Sequence, residues 1–85
     1  MGRRRGEVEI LIDILGIALK GVKVTRLMYK SNLSYSTLRK YLSAMAKQGL
    51  IDKVCNNDGS TVYCATEKGK LALDRLKEVK CVLHV

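Results

Sequence analysis

Over residues 25–49, TRLMYKSNLSYSTLRKYLSAMAKQG, apolar side chains recur at helical spacing on either side of a short polar break. Two amphipathic helices joined this tightly have to share one core, so this stretch limits the fold more than any other. The first helix, 25–30, is capped by Thr25 and anchored by Leu27 and Met28. Ser31, Asn32 and Leu33 form the break. Ser34 then caps a longer helix through Gln48, and Gly49 ends it. Leu38, Leu42 and Met45, with Tyr41 beside them, make its buried stripe. Tyr35, Ser36, Arg39, Lys40, Ser43 and Lys47 stand on the opposite face. No acidic residue lies between Asp13 and Asp52, so that outer face is cationic.

The whole chain is expected to form one small domain. It has 85 residues, 47% of them hydrophobic and 28% charged, which is globular rather than disordered composition. Its core material is aliphatic: Phe and Trp are absent, and such a modest core makes a second subunit a natural expectation. The net charge of +8 predicts attraction to polyanions, nucleic acid first and anionic membrane second. The start, MGRRRG followed by an apolar run, imitates a secretory signal. Glu7, Glu9 and Asp13 interrupt that run, and it is too short to span a bilayer. Gly6 stands where myristoylation prefers Ser or Thr. The expectation is a cytoplasmic, nucleoid-associated protein without a membrane partner.

In chain order, residues 1–6 form a basic arm in which Arg3, Arg4 and Arg5 are either solvated or in contact with phosphates or a minor groove. A helix follows over 7–20, with Glu7 and Glu9 at its start and Lys20 at its end, as the macrodipole favours. Val8, Leu11, Leu15, Ala18 and Leu19 make its core stripe. Ile10, Ile14 and Ile17 make a second stripe, so the helix is either central in the fold or shared with a partner subunit, with these three as the expected dimer contacts. Gly21 closes the helix, and residues 22–24 are extended. After Gly49, β-rich runs at 51–55 and 61–65 flank Asn-Asn-Asp-Gly-Ser, a hairpin turn. Thr66 caps a last helix from Glu67 to about Leu83, where Ala72, Leu76, Val79 and Leu83 fall in the rhythm of a coiled-coil seam. Two heptads are too few to stand alone, so this seam is a second expected dimer contact.

Helix, extended segment, helix-turn-helix, two-stranded wing and helix succeed one another as in a winged helix-turn-helix. That is an α+β fold, mainly α, with a three-helix core, a β-wing and a C-terminal dimerisation helix, divided as arm 1–6, domain 7–66 and helix 67–85. RRGEVEILIDIL, KVTRLMYKSNLSYSTLRKYLSAMAKQGLI and YCATEKGK resemble more particularly the small archaeal winged-helix family of DNA-binding proteins and predicted transcriptional regulators. The resemblance spans nearly the whole chain, and TRLMYKSNLSY followed by KQGLI carries most of its specificity. It implies that Ser34, Tyr35, Ser36 and Thr37, with Arg39 and Lys40, enter the major groove. The wing tip, residues 56–60, would lie along the flanking backbone or minor groove. Members often dimerise through a long C-terminal rod; this last helix is shorter, which leaves a compact dimer.

Residue chemistry supports the same assignment. Arg, Ser, Thr and Asn address base edges from a helix in the major groove, while Lys serves phosphates. The expected DNA contacts are thus Arg3–Arg5, Arg26, Ser34, Tyr35, Ser36, Thr37, Arg39, Lys40 and Ser43, with Asn56, Asn57 and Ser60 in the wing. Asp58 and the absence of a basic residue between Cys55 and Ser60 make the wing's grip modest. Cys55, Cys64, Cys81 and His84 lack the C-x-x-C spacing of a zinc knuckle. The three cysteines read as small apolar side chains, with a cross-strand or intersubunit disulfide as the other option. The lone His, scattered carboxylates and missing phosphate loop give no basis for catalysis, a metal or a cofactor. The expected function is a homodimeric regulator on double-stranded DNA. A non-specific chromatin-type binder and a protein-interaction module are the alternatives.

Overall fold

The computed structural model describes residues 6–83. In chain order it runs α1 (Glu7–Ile17), a 3₁₀ turn (Ala18–Lys20), β1 (Val22–Lys23), α2 (Val24–Ser31), α3 (Tyr35–Lys47), β2 (Ile51–Cys55), β3 (Thr61–Ala65) and α4 (Glu67–Leu83). The expected α+β, mainly helical architecture is present.

Helix α3 begins where Ser34 caps it, the Ser34 Oγ accepting the Thr37 N–H at 3.3 Å. Helix α2 starts one residue earlier than expected. Lys23 stands at its cap position with no side-chain bond, and Thr25 lies inside the helix. Ser31, expected in the break, completes α2; it is fully buried and its hydroxyl donates to the Met28 carbonyl at 3.3 Å. The break is therefore Asn32, Leu33 and Ser34. Asn32 takes the left-handed conformation (φ 58°), and the Asn32 and Leu33 N–H groups reach back to the Tyr29 and Met28 carbonyls. Gly49 (φ 75°) closes α3 in the same way, with Leu50 N–H on the Met45 carbonyl.

One core joins these elements. Ile14, Leu15, Ala18, Leu27, Leu38, Leu42, Met45, Ile51, Ala65 and Leu73 are buried together. Helix α1 is thus central, and the expected contact of its second stripe with a partner subunit is corrected. Ile14, expected at a dimer contact, has no exposed surface, and Ile10 and Ile17 pack on the same core. Helix α1 lies between α2 and α4, so its faces are used within one chain. Ala72 and Leu76 likewise lean on this core, whereas Val79 and Leu71 are 47% and 64% exposed. The side chain of Leu83 lies outside the described residues.

The wing also differs from expectation. Its sheet has three strands in the order β1-β3-β2, all antiparallel. The extended segment after α1 pairs on the free edge of β3, Val22 opposite Tyr63 and Lys23 opposite Val62. Across the hairpin Cys55 faces Thr61 and Cys64 faces Asp52, which puts the two cysteines on opposite sides of the ribbon. A Cys55–Cys64 bridge is thereby excluded, and Cys55, Cys64 and Cys81 are free thiols. His84 lies outside the described residues.

Candidate nucleic-acid interface

Because Leu38, Leu42 and Met45 fix the inner side of α3, its helical period leaves Tyr35, Ser36, Arg39, Lys40, Ser43, Ala44 and Lys47 along the outer side. There they line one shallow open groove. Among the described residues, neither Arg39, Lys40 nor Lys47 is held in an ion pair. Each guanidinium or ammonium is free to meet an external acceptor. Tyr35 is 54% exposed at the first turn.

The hydroxyls at that end are not all equally available. Ser34 Oγ accepts the Thr37 N–H and donates to Thr37 Oγ1 at 3.0 Å, and lies 3.4 Å from Ser36 Oγ. Ser34 and half-buried Thr37 thus hold the helix start together. Tyr35, Ser36, Arg39, Lys40 and Ser43 are left as the outward-facing set.

Other expected residues fall in two further places. Arg26 is exposed on the first turn of α2, in a hollow bounded also by Gly21, Val22, Lys23, Thr25 and Val62. Asn56 and Ser60 are in the wing turn, where their side chains are bonded to each other. Asn56 Nδ2 donates to Ser60 Oγ at 3.1 Å, and Ser60 donates its N–H (2.9 Å) and hydroxyl (2.6 Å) to Asp58 Oδ1. Those bonds from Ser60, with a smaller contribution from the charge of Lys23, hold the Asp58 carboxyl below its ordinary value. Asn57 is exposed. Arg3, Arg4 and Arg5 lie outside the described residues.

Sequence reasoning passed over Lys23, Thr25 and Tyr29. Tyr29 is 88% exposed and lines a hollow with Met28, Asn32, Leu33 and Ser34 beside the start of α3. The helical period of α2 carries a signal for it, since Tyr29 follows Arg26 and Thr25 by three and four positions.

A bracket between α3 and α4 explains Thr66 and Gly69 in the stretch YCATEKGK. The Thr66 hydroxyl donates to the Gly49 carbonyl (2.6 Å) and accepts the Gly69 N–H (3.0 Å), while Thr66 N–H meets the Leu50 carbonyl at 3.0 Å. Gly69 leaves room for that same carbonyl oxygen, which a Cβ would strike. The junction seats the last helix on the end of α3.

A short-turned helix pair with a solvent-facing second helix, backed by a small antiparallel sheet and a closing helix, defines a winged helix-turn-helix. The chain belongs to that family: a winged helix-turn-helix family model matches residues 4–84. A solved structure of Sso10a-2, a DNA-binding protein from Sulfolobus solfataricus, is similar with a TM-score of 0.87 at 32% identity, over 94% of this chain and 83% of that one. The transcriptional regulator BldR from the same organism shares the fold with a TM-score of 0.81 at 17% identity, over 88% of this chain and 56% of its own. A MarR-family regulator from Silicibacter pomeroyi does so at 0.76 and 22%, over 88% and 53%. An uncharacterized protein of Methanocaldococcus jannaschii is 35% identical over 77 residues, 89% of this chain. The chain spans about a third (34%) of that relative's length. Among the described residues no helix is long and apolar enough to cross a membrane.

Proposed function

We propose that the chain binds double-stranded DNA as a homodimer, with α3 of each subunit in the major groove, and that it regulates transcription on the nucleoid in the cytoplasm. The observation that carries this reading is the outer face of α3. It presents Arg39 and Lys40, unpaired among the described residues, together with Tyr35, Ser36 and Ser43, and it carries no acidic group. A helix of this kind fits the major groove, where Arg and Ser address base edges and Lys the phosphates. The likeness to Sso10a-2, named a DNA-binding protein, supports the ligand class, and the likeness in fold to transcriptional regulators agrees with the role.

Leu71 and Val79, exposed on one flank of α4, support the second subunit. In a dimer the two α3 helices would address half-sites about one helical turn apart, roughly 34 Å. Light scattering at micromolar concentration is expected to give twice the chain mass; a monomer contradicts the dimer. The net charge of +8 favours one competing reading, a binder that coats DNA through phosphates without sequence preference. A titration against duplexes selected from random DNA decides between them. A regulator is expected to prefer its site by ~10³ or more over random duplex. Equal affinities indicate a coating protein, and no binding to any duplex overturns both.

A further inference from the structure

The hollow between β1, the first turn of α2 and β3 lies outside the groove face of α3. Its rim carries Lys23, Thr25 and Arg26, and its floor is Gly21, Val22 and Val62. Lys23 and Arg26 are exposed, and among the described residues neither is in an ion pair. Gly21 keeps the floor low: it sits at φ 91°, and a Cβ there would press on Val62 Cγ1 at 3.2 Å. Two cations and a hydroxyl thus line one open recess, with no acid among its lining residues.

We propose that this hollow is a second, sequence-independent DNA site that holds a backbone phosphodiester of the flanking duplex. Lys23 and Arg26 supply charge, and the Thr25 hydroxyl supplies a hydrogen bond. The inference rests on the DNA reading of α3 and assigns the flanking grip to a different place from the wing tip.

The wing tip is a poor competitor for the same phosphate. From Val54 to Thr66 the chain has no basic residue, and its one charge there is Asp58. Ser60 donates two hydrogen bonds to that carboxylate, which keeps it anionic, and Asn56 and Ser60 spend their side chains on the turn itself. A phosphate is repelled by the charge of that turn and attracted by the two cations of the recess.

The test is a titration of the full chain and its Lys23→Ala and Arg26→Ala variants on a short random-sequence duplex across a salt series, with Arg39→Ala alongside. Each hollow variant is expected to bind roughly three- to tenfold more weakly at moderate salt. The slope of log affinity against log salt should be shallower by about 0.9, the signature of one lost phosphate contact. Both side chains are exposed, so thermal melting should not change. Parent-like affinity and slope for both hollow variants, with Arg39→Ala weakened, overturn the hollow and leave the α3 reading standing. Parent-like binding by all three variants overturns the α3 reading as well.

Discussion

At Gly69 a methyl group would collide with the Leu50 carbonyl oxygen, and Leu15 closes the space behind it. A backbone carbonyl held by the Thr66 N–H cannot swing away, so Gly69→Ala is expected to destabilise the fold by about 3 kcal/mol. Urea unfolding measures this. Gly16, exposed near the end of α1 with nothing within 4 Å of an added Cβ, is the contrasting case. Gly16→Ala should stabilise the chain by about 0.5–1 kcal/mol, because alanine loses less backbone entropy on entering a helix. Thr66 is legible in the sequence as a helix cap, but the need for glycine at position 69 is not. Leu50 and Gly69 lie on either side of the wing, and only the folded chain brings them together. The same holds for Ile14. Its periodicity marked it as apolar, yet nothing in the spacing along one helix tells which neighbour covers it.

At the level of elements, the helix-turn-helix was legible nearly residue by residue because its punctuation is local. Ser34 begins α3, and Asn32 and Gly49 end α2 and α3 in left-handed conformations. Thr25 misled because a cap residue next to a helix start resembles one inside its first turn, and Lys23 caps with its backbone alone. Strand β1 is legible as an extended segment, but it is two residues long and pairs with β3 far along the chain, so its place in the sheet is not. Ser34→Ala should cost about 1 kcal/mol of stability, read in the same urea titration, since it removes the acceptor for Thr37 N–H. In the wing turn, Asp58 titrates below its ordinary value because its carboxylate accepts bonds from Ser60. Its contribution to turn order is therefore complete above the unfolded-state carboxyl value and is lost as the pH falls through the lower native value. Amide exchange at Ser60 should accelerate in that acidic window in the parent and show no such step in Asp58→Asn.

Across the whole molecule, the acids are kept off the helix-turn-helix. From Lys20 to Lys47 all seven charged residues are basic, and the acids stand on α1, the ribbon and α4. The cationic stretch includes the outer face of α3 and the hollow at the start of α2, while the apolar residues left exposed on α4 lie on another element. Polyanion binding and self-association can thus use separate surfaces of a small domain. Replacing Leu71 and Val79 together with Ser should shift light scattering from dimer to monomer, while each subunit keeps its circular dichroism. Contact between the outer face of α3 and DNA is read by titrating one duplex at moderate salt with the parent chain and with an Arg39→Ala, Lys40→Ala double variant. Both side chains are exposed, so the variant should fold as the parent does and bind at least about tenfold more weakly. Equal affinity of the two folded proteins would exclude the outer face of α3 as the DNA contact.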